Sequence, residues 1–117
     1  MFNTVAGGLI LTLKENTLTP AGATFILNNL GPEVAYYGQQ YFLQMYFDDQ
    51  WYDITGDPSW TLELIHINPG EKTELPVDWS NFFGVLPPGN YRFIKEFQLS
   101  NYRTGKKLYL SYPFVIE

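Results

Sequence analysis

The sequence predicts an all-β chain folded as a two-sheet antiparallel sandwich, and three observations carry that prediction. Apolar and polar side chains alternate with period two in segment after segment, the pattern of half-buried strands. Gly, Pro, Asn and Asp interrupt the alternation roughly every ten residues, the spacing of sandwich strands and their turns. The third observation is Leu86-Pro87-Pro88-Gly89-Asn90-Tyr91, a turn that delivers a tyrosine into the start of a strand. No long stretch of helical periodicity competes.

The elements follow in order. Leu9, Leu11 and Leu13 share one face of a first strand, with Thr12 and Lys14 on the other, and Thr19-Pro20-Ala21-Gly22 turns the chain. Thr24 to Asn28 sets Phe25 and Leu27 on one side, and the run from Asn28 to Pro32 ends the ladder. Tyr36-Tyr37-Gly38 reads as an irregular connection. From Tyr41 to Phe47 the odd positions face one way, and Asp48-Asp49-Gln50 is a hairpin tip returning into Trp51 to Ile54. After the loop Gly56 to Ser59, Leu62 and Leu64 flank Glu63 in a short strand. The turn at Pro69-Gly70 then leads into Thr73, Leu75 and Val77. Asp78 is expected to cap one helical turn over Trp79 to Phe83, which Gly84 ends.

The next strand carries Tyr91, Phe93, Lys95 and Phe97 on one face, and a hairpin through Asn101 to Lys106 returns into Leu108, Leu110, Tyr112 and Phe114. A tyrosine that opens a strand after such a turn is the mark of immunoglobulin-like sandwiches. There the hydroxyl bonds back to backbone a few residues upstream. The expected fold is therefore an immunoglobulin-like two-sheet antiparallel β-sandwich with a tyrosine corner. In that corner Leu86 packs under the turn, Gly89 supplies conformational freedom beside Pro88, and the Tyr91 hydroxyl closes the bond. Phe93 stands where disulfide-bearing sandwiches hold their second cysteine, so a ring is expected to fill the place of the missing bridge.

At 117 residues the chain is expected to form one domain, residues 1–117, burying roughly two thirds of its unfolded surface. The 45% apolar content supplies one core without cross-links, and 18% aromatic residues in so small a body leave some rings on outer faces or in loops. Twelve acidic against seven basic residues give a net charge of −5, which repels phosphate backbones and makes nucleic acid an unsuitable partner. The absence of cysteine removes thiol catalysis and thiolate metal sites, and it fits export without requiring it. Val5 to Leu11 imitates the apolar part of a signal peptide but lacks a basic flank, and no stretch approaches the ~20 apolar residues of a membrane span.

Several segments together resemble the immunoglobulin-like domain of bacterial cell-envelope proteins and lipoproteins, of the Gram-positive type. They are Leu11 to Glu15, Gly22 to Asn29, Tyr37-Gly38 leading to Tyr41, Trp51-Tyr52, Asn68 to Glu71, Val77-Asp78-Trp79, and Leu86 to Arg92 followed by Lys95-Glu96-Phe97. The resemblance covers nearly the whole chain. It implies a non-catalytic accessory module of an exported or cell-surface protein, extracellular or in the cell envelope, with any signal peptide or lipid anchor upstream of residue 1. It brings no cofactor and no functional residues. The Asp48-Asp49-Gln50 tip and the crowded Trp79 to Phe83 segment depart from the family pattern, both in turns.

Sites of chemistry are sparse. His66, the single histidine, is a lone imidazole without a metal or triad partner, and Ser59 lacks the context of a nucleophile. Asp48, Asp49, Asp53 and Asp57 supply the oxygen ligands that calcium needs, at a spacing unlike that of a dedicated loop, and read first as solvated hairpin charges. Glu63, Glu74 and Glu96 occupy the polar phase of their strands. Trp51, Tyr52 and Trp60 are the candidates for a ligand surface. They form either a sugar-stacking strip or a set in which Trp51 packs between the sheets and the other two line the rim. The partners left open are another protein, through surface contact or strand addition at an edge, or a cell-wall polysaccharide.

Overall fold

In a computed structural model, which describes residues 3–61, 63–100 and 105–117, the chain forms strands β1 (Val5–Ala6), β2 (Leu9–Leu13), β3 (Gly22–Asn29), β4 (Ala35–Tyr37), β5 (Phe42–Phe47) and β6 (Gln50–Asp53). After these come β7 (Ile65–Ile67), β8 (Lys72–Asp78), the single helical turn α1 (Ser80–Phe83), β9 (Gly89–Leu99) and β10 (Lys107–Ile116). Two antiparallel sheets result. The smaller has the order β1-β2-β3-β8; the larger has β6-β5-β9-β4-β7, with β10 on the other side of β9.

Alternation builds the contact between them. Leu9 and Leu11 of β2 and Phe25 and Leu27 of β3 face Leu43, Tyr91, Phe93, Phe97, Leu110 and Phe114 of the larger sheet, all buried in one core. Phe25 and Phe93 stack across the gap with ring centroids 4.1 Å apart and an interplanar angle of 11°. These are the two strands that a disulfide joins in antibody domains, and the ring pair takes that place. The Tyr91 hydroxyl donates to the Pro87 carbonyl oxygen at 2.6 Å and closes the tyrosine corner, while Tyr91 and Trp79 stack on either side of Phe114 at 5.7 and 5.3 Å. Trp79 plugs that end of the sandwich, its Nε1 donating to the Pro20 oxygen at 2.8 Å.

Local chemistry explains the turns. Asp48 and Asp49 hold φ of 53° and 64°, so β5 and β6 are joined by a two-residue turn with both central residues left-handed, which matches strand twist. Gly7 and Gly8 do the same between β1 and β2 with φ of 57° and 83°. This hairpin adds a two-residue strand ahead of the first expected strand, which forms as β2. Trp79, not Asp78, stands at the N-cap of the helical turn; Asp78 sits one residue earlier, its Oδ1 accepting from Ser80 N at 3.0 Å, and Gly84 ends the turn with φ of 82°.

Three further expectations need correction. Ala35–Tyr37 is a strand and not an irregular connection: it pairs with β7 and with the end of β9, and buries Ala35 and Tyr37 on alternate positions. The short strand expected around Glu63 starts later, at Ile65, because Leu64 is exposed and Ile67 is the residue that reaches the core; Leu62 lies outside the described residues. Gly89 does not use the left-handed region. A Cβ there would meet the Tyr91 ring at an ordinary 3.4 Å, so the corner makes no conformational demand that only glycine meets. Most of the expected hairpin tip, residues 101–104, lies outside the described residues.

Candidate functional site

Trp51, Tyr52 and Trp60 occupy three different places. Trp51 is on the outer face of the larger sheet and not between the sheets. It pairs with Tyr46 in register, with ring centroids 5.0 Å apart. The Arg92 guanidinium lies over it, 4.2 Å from the ring centroid. Arg92 Nε donates to Gln44 Oε1 at 2.7 Å, and Gln44 Nε2 donates to Asp53 Oδ1 at 2.8 Å, which fixes the guanidinium in place. Tyr52 points the opposite way along β6, against Met45 in the register. Trp60 belongs to the loop between β6 and β7 and packs edge-on against Tyr41 at 5.0 Å and Phe82 at 5.1 Å.

Residues that face each other across a ladder share a side of the sheet. The register therefore places Phe42 and Tyr46 of β5 with Asn90, Arg92, Ile94 and Glu96 of β9 and with Tyr109, Pro113 and Val115 of β10 on the outer face. Phe42 is 48% exposed and Val115 53%, and Tyr46 and Tyr109 are exposed as well. The sequence offered a signal for this surface. From Phe42 to Phe47 both phases of the strand carry apolar rings, so a strand with one face in the core must present rings on the other.

A second feature lies between the sheets. Because β5 pairs with β9 only as far as Ile94 and β4 pairs only with Gln98 and Leu99, the chain from Gly38 to Tyr41 leaves the ladder. Beside this interruption, facing the edge strand β8, is a cavity of about 580 Å³ lined by Tyr37, Tyr41, Trp60, Val77, Phe82 and Lys95 among others. Lys95 stands in the inward phase of β9 between Phe93 and Phe97 and is buried. Its Nζ donates to the carbonyl oxygens of Gly38 at 2.6 Å and Gln40 at 3.0 Å and lies 5.5 Å from the Tyr37 ring centroid. Burial lowers its pKa to about 8. The Tyr41 hydroxyl is buried without a hydrogen-bond partner. Burial first, and the Asp78 charge second, push its pKa up to about 12, so it remains a donor.

The acidic residues do not converge. Asp49 accepts from the Tyr46 hydroxyl at 3.2 Å and Asp53 from Gln44, while the Asp57 amide binds the Phe82 oxygen in a separate loop. Among the described residues no three His, Cys, Asp or Glu side chains are grouped to hold a metal ion. Glu74 pairs with Lys14 at 2.9 Å and Glu96 with Lys107 at 3.4 Å, both at the surface; Glu63 accepts from Gln39. His66 is exposed on β7, its ring 6.3 Å from that of Tyr36. Among the described residues no helix is long and apolar enough to cross a membrane.

Two antiparallel sheets joined by a ring stack and closed by a tyrosine corner define an immunoglobulin-like β-sandwich. A family model described as bacterial Ig-like domain matches residues 6–110, and the chain belongs to that family. Its members are generally non-catalytic and typically occur in surface or exported proteins. No significant match is found among curated proteins or among solved structures.

Proposed function

We propose that the chain is a single-domain, non-catalytic binding module of an exported or cell-surface bacterial protein, engaging a protein partner through the outer face of its larger sheet. The observation that carries this reading is the row Phe42, Tyr46, Tyr109 and Val115 on that face. Exposed rings grouped on one face, with Arg92 among them, have the composition of interface centres, whereas scattered single apolar residues would mean nothing. A photoreactive amino acid placed at position 42 or 109 in the cell-associated protein is expected to give discrete crosslinked species, and the same group at Thr12, on the exposed side of the smaller sheet, is expected to give none. Equal labelling from all three positions would contradict the assignment.

Sugar binding is the second reading. The Tyr46–Trp51 pair, flanked by the hydrogen-bonding Gln44, Asp53 and Arg92, favours it. Arg92 already covers one face of Trp51, which leaves less ring for a pyranose. Calorimetric titration with cell-wall polysaccharide distinguishes the two readings: heat of binding that Trp51→Ala abolishes would move the function to carbohydrate.

A further inference from the structure

The cavity between the sheets holds an imbalance that the fold alone does not resolve. Lys95 is 5% exposed, and among the described residues no carboxylate stands within ion-pair distance of it. Its contacts with Gly38 and Gln40 occupy two of the three donors of an ammonium group. Tyr41, 6% exposed, lines the same cavity with a hydroxyl that donates to nothing. A buried cation and a buried orphan donor are each costly to keep, and an acceptor that satisfied both would stabilise the site. The surrounding wall combines aromatic and apolar side chains, among them Tyr37, Trp60, Phe82 and Val77, with polar ones such as Gln39 and Thr73. Its volume falls in the range of small-ligand sites.

We propose that this cavity is a binding site for a small organic acid, the carboxylate meeting Lys95 and Tyr41 and a planar or apolar body lying against Trp60 and Phe82. Two acidic side chains, Glu74 and Asp78, also line it, but Glu74 is paired with Lys14, Asp78 accepts from Ser80, and neither stands within ion-pair distance of Lys95. The site faces the core side of the larger sheet and is separate from the outer row at Phe42 and Tyr109, so either assignment can fail without the other.

The test is a chemical-shift titration of isotopically labelled protein with 1-naphthylacetate and, in parallel, with its neutral counterpart 1-naphthylacetamide. The acid is expected to shift the amides of Gly38 to Tyr41, Trp60, Thr61, Leu75, Val77 and Asp78 saturably. Its affinity should be about tenfold higher than that of the amide, as loss of a charge-assisted hydrogen bond implies. Lys95→Met should erase the difference. Tyr41→Phe, which removes only an unsatisfied hydroxyl and should fold at least as well as the natural protein, is expected to weaken acid binding several-fold. No saturable shift in the natural protein, equal affinity for acid and amide, or shifts confined to the outer face would each overturn the proposal.

Discussion

At the scale of single residues the chain concentrates its specificity in a few polar atoms set into an apolar interior. The Tyr91 hydroxyl is one. Its 2.6 Å bond to the Pro87 oxygen ties the turn before β9 to the strand itself. Tyr91→Phe keeps the ring and its stack on Phe114 while removing that bond, and should cost about 1 kcal/mol in denaturant unfolding. A variant as stable as the natural protein would count against the corner. Asn29 is a second such residue: fully buried, it donates to the Glu33 and Ile67 oxygens and accepts from the Gly31 amide, so one side chain holds β3, the following turn and β7 together. The tyrosine was legible in the sequence because a Pro-Pro-Gly-Asn turn announces it. Asn29 was not, and of Lys95 only its place on the face of Tyr91, Phe93 and Phe97 was, because the strand pattern does not show which partners from elsewhere in the fold will satisfy a polar side chain.

At the scale of elements, turn chemistry and strand length decide what could be read. The hairpin at Asp48-Asp49 was legible because two consecutive residues tolerant of left-handed backbone separate two apolar runs. Replacing Asp49 by glycine should stabilise the protein by up to about 1 kcal/mol, since φ of 64° disfavours side chains that carry a Cβ. An unchanged or lower melting temperature would mean that the Asp49 bond to Tyr46 matters more than the backbone. Strand β4 escaped notice for the opposite reason. It has three residues, lies close to Pro32 and Gly38, and gains its ladder only from β7 and the far end of β9. That some rings of Phe42 to Phe47 must face outward was legible because both phases of the strand are apolar, and the register shows that Phe42 and Tyr46 are the outward set.

At the scale of the whole molecule, two sheets without a covalent bridge are held in register by rings. Phe25 and Phe93 join the sheets at the centre, Trp79, Phe114 and Tyr91 form a column at one end, and Tyr41, Trp60 and Phe82 close the open side beside β8. This division explains why fold and family could be read from sequence while the cavity could not. The strands that make the core carry their period locally. The cavity arises where β4 and β5 leave β9 unpaired between them, a consequence of how non-adjacent segments meet. A double-mutant cycle on Phe25 and Phe93, with each ring truncated to leucine singly and together and stability followed by denaturant unfolding, measures the link between the sheets directly. A coupling of about 0.5–1.5 kcal/mol between the two positions is expected from stacked rings; strictly additive effects would show that the two sheets are not joined there and would contradict the structure described.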